Sequence, residues 1–241
     1  MSRADAPARH LVIAVDGPAA SGKSSTAQAV AVALGIRHAD SGAFYRAATL
    51  ARLQPGDEPP WTEQSVLDAV RDITIALEAA TFEPRLRGAR VLHELHGASV
   101  TARVSALAKM PRVRAWVNGR MRECATKGDL VVDGRDMGTA VFPDARVKVY
   151  LVAHAEVRAH RRSLQRLERV PTDEELREEH EAIVHRDSKD ATQSLPAEDA
   201  VLIDTTDLTQ AEVVARIVAL TATAGARKLG QGGGHRDKRP T

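Results

Sequence analysis

Residues 11–26 read LVIAVDGPAASGKSST, and this stretch decides the fold. The apolar run from Leu11 to Val15 has the composition of a buried strand. It ends at Asp16, and from Gly17 to Ser24 the chain spells G-x-x-x-x-G-K-S, the spacing of a phosphate-binding loop. A helical segment starts at Ser24 and is closed by Gly35. Strand, glycine-rich loop and helix, in that order, are the context the motif needs. Gly17 and Gly22 permit backbone conformations and close approaches that a Cβ would block. The loop of Gly17, Pro18, Ala19, Ala20, Ser21, Gly22 and onward to Ser25 is expected to wrap a phosphate with backbone N–H groups, helped by the helix N-terminus behind it. Lys23 would reach the β- and γ-phosphates of a nucleotide, and the Ser24 hydroxyl would bind Mg²⁺.

Outward from the loop the chain keeps alternating. IRHADSG (36–42) reads as a short strand running into a loop, and Ala43 to Leu53 as a helix. QPGDEPPW (54–61) carries three prolines and breaks the pattern. Thr62 and Glu63 open another helix. DITIALEA and ARVLHELHG alternate apolar and polar residues at period two and flank FEPRLRGA. A small antiparallel sheet is expected there, inserted as a substrate lobe at about 56–110. Arg112 to Ala125 reads as a helix. DLVVDG (129–134) and VKVYLVA (147–153) are runs of buried parallel-strand type. Residues 155–170 and 172–188 form two charged helices, VLIDTT (201–206) the last strand, and Gln210 to Thr221 the last helix. The predicted fold is α/β: a phosphate-loop NTPase-type parallel sheet of about five strands flanked by helices, with the antiparallel lobe and a short helical lid at about 155–192. One domain spans 10–225.

The 241 residues suit one α/β domain with an insertion. Hydrophobic residues make up 43% and aromatics 3%, so the core must rest on Val, Leu, Ile and Ala. Cys124 is the only cysteine, which excludes an intramolecular disulfide and a cysteine metal cluster and suits a reducing cytoplasm. No apolar run approaches the ~20 residues that span a bilayer, and MSRADAPARH lacks the apolar segment of a secretory signal. The net charge is +2, but residues 227–241 carry five Lys/Arg against one Asp, which leaves the remainder at −2. A body without basic excess argues against a nucleic-acid surface. Residues 1–9 and the Gly-rich basic tail at 226–241 are expected to be disordered.

Four clusters beyond the loop narrow the chemistry. Asp40-Ser41-Gly42-Ala43-Phe44-Tyr45-Arg46 follows the second strand. Ligands in an open α/β sheet sit beyond the strand carboxyl ends, which brings Ser41 and Arg46 near the phosphate site. A helix cap explains Asp40 or Ser41 but not Arg46. Asp133-Gly134-Arg135-Asp136-Met137-Gly138-Thr139 ends the third parallel strand. An acid there can support Mg²⁺ directly or through water, and Arg135 suits bidentate phosphate binding. Ser105 and Arg114, astride Pro111, are unremarkable polar residues taken alone. Arg158, Arg161, Arg162 and Arg166, with His185-Arg186-Asp187-Ser188-Lys189-Asp190, read either as a solvated helical hairpin or as a lid that closes arginines over a transferring phosphoryl group. The phosphate loop favours the lid. The histidines show no metal spacing and read as surface or core residues.

Together these segments resemble the bacterial cytidylate kinases, the (d)CMP kinases of the nucleoside monophosphate kinase group. The motifs that carry the resemblance are AVDGPAASGKSST, ADSGAFYRAATL, SALAKMPRVR, VVDGRDMGTAVFPDARVKVYL, VRAHRRSLQ and PAEDAVLIDTTDL, from about residue 11 to 220. The resemblance implies phosphoryl transfer from ATP to CMP or dCMP with Mg²⁺, by a core, an inserted CMP-binding lobe and a short lid. It implies that Ser105, Arg114 and Asp136 read the cytosine ring. Ser41, Arg46, Arg135 and Arg186 would surround the acceptor phosphate, Asp190 would meet a ribose hydroxyl, and Arg158 and Arg162 would meet ATP. Lys23, Arg135 and Arg186 become the catalytic cations, and Ser24 with Asp133 the Mg²⁺ holders. No general base is assigned, since transfer to a phosphate oxygen needs positioning and charge neutralisation. A cytoplasmic monomer acting on small molecules, without membrane or specific nucleic-acid partners, is expected.

The chain departs from the family's pattern in two places. The segment between Val100-Thr101 and Ser105 is short, so the lobe is trimmed. At the end of the lid, where family members carry R-D-x-R-D-x-x-R, this chain has Arg186-Asp187-Ser188-Lys189-Asp190-Ala191-Thr192-Gln193 and a shortened link to Pro196. Lysine and glutamine lack the bidentate fork of arginine, which bears on acceptor-phosphate affinity. Two other readings remain open on the sequence: a nucleotide-binding module with weakened catalysis, and a kinase for another small acceptor. Ser105, Arg114 and Asp136 argue against the second.

Overall fold

In the first strand, β1 (Val12–Asp16), Ile13 and Val15 face one side of the sheet and Ala14 the other, as a period of two requires. All three are fully buried, so β1 is a central strand with helices over both faces. The computed structural model describes residues 10–54, 60–191 and 194–230. After β1 come α1 (Lys23–Leu34), β2 (Arg37–Asp40), α2 (Ser41–Leu53), α3 (Glu63–Ala69), β3 (Ile73–Glu78), β4 (Thr81–Leu86), β5 (Ala89–Arg90), α4 (Ala98–Leu107), α5 (Pro111–Ala125), β6 (Leu130–Gly134), β7 (Val147–Val152), α6 (Ala155–Leu167), α7 (Asp173–Asp190), β8 (Val201–Asp204) and α8 (Gln210–Gly230).

The sheet runs β3-β4-β2-β6-β1-β7-β8, and β2, β6, β1, β7 and β8 form the parallel core. β1 lies between β6 and β7, so the chain leaves it first toward one edge and later toward the other. A crevice opens beyond the carboxyl ends of the strands at such a reversal. The phosphate loop, Asp40 and the Asp133–Asp136 turn all sit at those ends. One core layer packs Phe44, Leu107, Val113, Val117 and Met121 of α2, α4 and α5 on one face; the other packs Val30 of α1 and Val213 and Ile217 of α8 on the opposite face. Among the described residues no helix is long and apolar enough to cross a membrane.

The inserted region differs from its expectation. Its antiparallel strands are not a separate small sheet: β4 pairs with β3 and also runs parallel to β2 through His38↔Thr81 and Ala39↔Phe82. β4 takes up most of FEPRLRGA, the stretch that the period-two reading leaves between the two strands. The pairing with β2 has ended at Phe82, so Pro84 removes no hydrogen bond on that side. ARVLHELHG yields only the two-residue β5 and a 3₁₀ turn at Glu94–His96. The following α4 is a helix that the sequence reading omitted, with Val100, Val104 and Leu107 buried at helical spacing. The backbone of α8 continues to Gly230 rather than ending at Thr221, in keeping with the Ala-, Arg- and Lys-rich composition there. Residues 1–9, the Pro55–Pro59 part of the predicted breaker and the tail from 231 lie outside the described residues.

Candidate active site

The phosphate loop leaves β1 so near β7 that a Cβ on Gly17 would lie 2.4 Å from the Leu151 carbonyl oxygen. Gly22, the residue before α1, has the left-handed φ of 81°, which glycine adopts without strain. α1 starts with no side-chain cap and no acid in its first turn. By contrast, α3 and α7 are closed by capping boxes, Thr62 with Ser65 and Thr172 with Glu175. The first amides of α1 are therefore left for an anion. In the same loop Ser21 Oγ is buried and has no partner among the described residues. Lys23 Nζ donates to the Pro18 carbonyl at 3.0 Å. Burial, and then the charge of Arg135, lower the Lys23 ammonium to about 7, with Asp133 and Asp40 opposing; phosphate oxygens in the loop would act on the side of the carboxylates.

At the far end of the loop, Ser24 Oγ donates to Asp133 Oδ2 at 2.5 Å. His38 Nε2 lies 2.8 Å from the other oxygen of that carboxylate. Burial alone would lower the pKa of His38, but the hydrogen bond and charge of Asp133 outweigh it and raise it. Asp40 caps α2 by accepting from Gly42 N at 2.7 Å. Burial, then the charge of Asp133, raises its carboxyl to about 6. A hydroxyl and a carboxylate meeting here are the hard oxygen donors that suit Mg²⁺. No group of three or more His, Cys, Asp or Glu among the described residues could hold a metal ion. An ion at Ser24 and Asp133 would take its remaining ligands from phosphate and water, as Mg²⁺ commonly does.

Cations gather across the crevice. Arg46 of α2 donates to the Leu95 carbonyl and to Thr101 Oγ1, both at 3.1 Å. Arg135 and Arg186 share one carboxylate, with Asp190 Oδ2 at 3.4 Å from the Nε of Arg135 and 3.7 Å from that of Arg186. Arg162 pairs with the buried Glu179 at 3.0 Å. These guanidiniums lie in one another's fields. Burial and then Arg135 draw Arg186 down to about 10; Asp190 opposes, and Arg46 and Arg162 add. Burial lowers Arg46 as well, with Asp40 opposing and Arg162 and Arg135 adding. Like charges so placed are stabilised by an anion between them.

Beside this cluster the Arg114 guanidinium pairs with the Asp136 carboxylate and donates to the Ala108 carbonyl at 3.3 Å. Burial raises the Asp136 carboxyl against the pull of Arg114. The Tyr45 hydroxyl, in the fields of both, is buried with no partner among the described residues. The turn carrying Asp136 is held from β1: the Asp16 carboxylate accepts from Met137 N and Gly138 N, both at 2.8 Å. Burial pushes Asp16 up to about 6. At Gly134 a Cβ would fall 2.5 Å from Ser41 Oγ, so glycine there lets β6 pass beneath α2.

The model of the family described as cytidylate kinase matches residues 13–223 of this chain. The chain belongs to the cytidylate kinase family. The cytidylate kinase of Thermus thermophilus is 42% identical over 215 residues, covering 86% of this chain and 97% of that protein. That of Deinococcus deserti is 45% identical over 215 residues, covering 88% and 98%, and that of Limosilactobacillus reuteri 40% identical over 213 residues, covering 86% and 93%. Among solved structures, a gluconokinase from Sinorhizobium meliloti 1021 aligns with a TM-score of 0.49 and 16% identity, over 93% of this chain and 98% of that chain.

The family resemblance named the site residues, and the fold brings most of them together. Arg46, Arg135, Arg162 and Arg186 lie in one another's fields, Lys23 lies in those of Arg135 and Arg186, and Arg114 pairs with Asp136. Ser41 is buried with its hydroxyl donating to the Asp133 carbonyl at 2.9 Å. Ser105 lies one turn beyond Thr101 on α4, hence on the side that meets Arg46. Arg158 departs from the expected lid cation. It is 6% exposed, and it donates to the Ala153 and Ala19 carbonyls at 2.9 Å and pairs with Asp187 at 2.7 Å. It braces the phosphate loop against α7. Asp190, expected at a ribose hydroxyl, stands between Arg135 and Arg186. Lys189 is exposed, and Gln193 lies outside the described residues. The sequence reading missed Asp16, His38 and Glu179. Their one signal was position: Asp16 ends β1, His38 precedes Asp40 in β2, and Glu179 recurs with Ile183 on one face of α7.

Proposed function

We propose that this chain transfers the γ-phosphoryl group of ATP to the phosphate of CMP or dCMP, releasing ADP and CDP or dCDP. One observation carries this beyond nucleotide binding. Lys23 of the donor loop lies in the fields of Arg135 and Arg186, so donor and acceptor cations lie close together. The loop amides and Lys23 would hold the donor phosphates, and Arg46, Arg135 and Arg186 the acceptor phosphate. Transfer breaks the bond between the γ-phosphorus and the bridging oxygen of ADP, and forms one to an acceptor oxygen. The developing charge spreads over the equatorial oxygens, where Lys23, Arg135 and Arg186 would neutralise it without reorganising. The acceptor phosphate is largely dianionic near pH 7, with a second pKa of about 6, so no side chain need take a proton.

Ser24 and Asp133, directly or through water, would hold Mg²⁺, which supplies polarisation of the β- and γ-oxygens. Asp136 would accept from the exocyclic amine of cytosine while Arg114 donates to O2 or N3. Uracil places a carbonyl where that amine stands and leaves the carboxylate unpaired, the kind of mismatch that discriminates strongly. α6 and α7, with Arg162 facing the crevice, would close over it and keep water from the phosphoryl group.

An ADP-release assay across the nucleoside monophosphates tests this directly. CMP and dCMP should support turnover far above UMP, AMP and GMP. ATP binding without CMP-dependent ADP release would overturn the proposal and leave a nucleotide-binding module.

A further inference from the structure

The carboxylate assigned to Mg²⁺ is held from behind by a residue outside the phosphate-loop motif. β2 and β6 pair with His38 opposite Val131 and Asp40 opposite Asp133. Paired parallel strands alternate in step, so His38, Val131 and Asp133 share one face of the sheet. His38 therefore sits diagonally behind Asp133, at a position the backbone register fixes. Its Nε2 is 2.8 Å from Asp133 Oδ1 while Ser24 Oγ is 2.5 Å from Oδ2. The two side chains are 5% and 0% exposed. Nδ1 of His38 is buried with no partner among the described residues, so the bond to Asp133 is the one its ring makes there. Whether the ring is neutral or charged, Nε2 is the donating atom, because a carboxylate oxygen only accepts.

We propose that His38 is a positioning residue for the Mg²⁺ end of the phosphate site: its Nε2–H fixes the Asp133 carboxylate so that Oδ2 faces Ser24 Oγ. This rests on the reading of Ser24 and Asp133 as the Mg²⁺ holders. The χ2 torsion of aspartate is broad and roughly two-fold, so an untethered carboxylate presents either oxygen over a range of angles. With Oδ1 tied to the ring, one oxygen and one orientation remain. Outer hydrogen bonds of this kind set the orientation of a ligand, and their removal typically weakens metal binding about 10- to 100-fold.

The test is Mn²⁺ binding to the ADP-bound enzyme, followed by the electron paramagnetic resonance of free Mn²⁺, in wild type, Asp133→Asn, His38→Leu and His38→Gln. His38→Leu should weaken Mn²⁺ binding about tenfold or more and raise KM for metal–ATP, while KM for CMP stays unchanged. His38→Gln, whose amide nitrogen can reach the same oxygen, should recover most of the loss. A folded His38→Leu that binds Mn²⁺ like wild type, while Asp133→Asn binds it weakly, overturns the role of His38. Unchanged affinity in Asp133→Asn overturns the metal reading beneath it. If His38→Leu does not fold, the wild-type ring decides the matter. Its Nε2 should give the ¹⁵N resonance of a protonated, hydrogen-bonded nitrogen that moves when Mg²⁺ joins bound ADP. An unprotonated Nε2, or one indifferent to Mg²⁺, overturns the proposal.

Discussion

On the donor side of the crevice, several side chains bond the loop's carbonyls and the Asp133 carboxylate. Lys23 bonds the Pro18 carbonyl, Ser24 and His38 bond the two oxygens of Asp133, and Arg158 bonds the Ala19 carbonyl. The loop leaves β1 and Asp133 lies in β6, strands buried on both faces, while Lys23 and Ser24 open α1, His38 lies in β2 and Arg158 in α6. On the acceptor side, Arg46, Arg135, Arg162 and Arg186 come from α2, the turn after β6, α6 and α7. Asp190 there is shared between two of them. On the proposed reading, the contrast separates two ways of binding phosphate. The donor loop is preorganised, with backbone amides fixed before any ligand arrives. The acceptor side concentrates positive charge that a phosphate dianion would balance, and its parts come from four separate elements.

The comparison breaks most sharply at Lys23, the point where the two sides meet. Lys23→Ala should lower kcat by at least ~10², the scale of a lost preorganised donor at a developing charge. Steady-state kinetics in ATP and CMP check this, and near-normal kcat would detach the loop from the chemistry. A smaller but more selective effect is expected at the base. Asp136→Ala should reduce kcat/KM for CMP at least about tenfold more than for UMP, since a hydrogen bond to a charged group contributes about 1.5–3 kcal/mol. Equal losses on both would show that Asp136 does not distinguish the bases.

How much of this was legible in the sequence depends on what fixes each feature. The phosphate loop was readable because backbone geometry dictates its residue types: Gly17 must clear the Leu151 carbonyl and Gly22 must take a left-handed φ. Four of the five parallel strands were readable from their apolar runs, and β2, with the sequence RHAD, as a short strand between two helices. The inserted region was misread because period-two alternation put a strand on ARVLHELHG and left FEPRLRGA between the strands, whereas β4 takes most of FEPRLRGA and ARVLHELHG keeps only the two-residue β5. The pairing of Arg114 with Asp136 spans 22 residues and two elements; family resemblance set both at the base, but neither it nor their spacing announced that they meet. Asp16 and His38 are single polar residues in strands. Nothing in a lone aspartate or histidine tells which amide or carboxylate the fold will set against it.

Asp16 sharpens the comparison because it ties the donor strand to the turn that carries Asp136. Its folded pKa of about 6 stands above the ordinary 3.8 because burial outweighs its two amide bonds. The protonated form is thus favoured on folding. Its contribution to stability is fully present below about pH 4 and lost as pH rises through about 6. Asp16→Asn does not titrate, so its melting temperature relative to wild type should rise between pH 4 and pH 7, by on the order of 5 °C for a shift of this size. A difference that does not change with pH would mean that the carboxylate is comfortable as an anion. The smallest effect is expected from the basic C-terminal tail. Deleting residues 231–241 should leave melting temperature and CMP-dependent ADP release unchanged, and a loss of either would show that the tail contributes to the body.

The central claim is that the arginines of α2, α7 and the Asp136 turn form the acceptor-phosphate site. Titration calorimetry of CMP against cytidine measures that contribution alone, because the base and sugar are the same. With two or more charge-assisted hydrogen bonds of about 1.5–3 kcal/mol each, CMP should bind at least ~10²-fold more tightly than cytidine, by a margin that narrows as salt screens the arginines. Equal affinity for cytidine and CMP would contradict it.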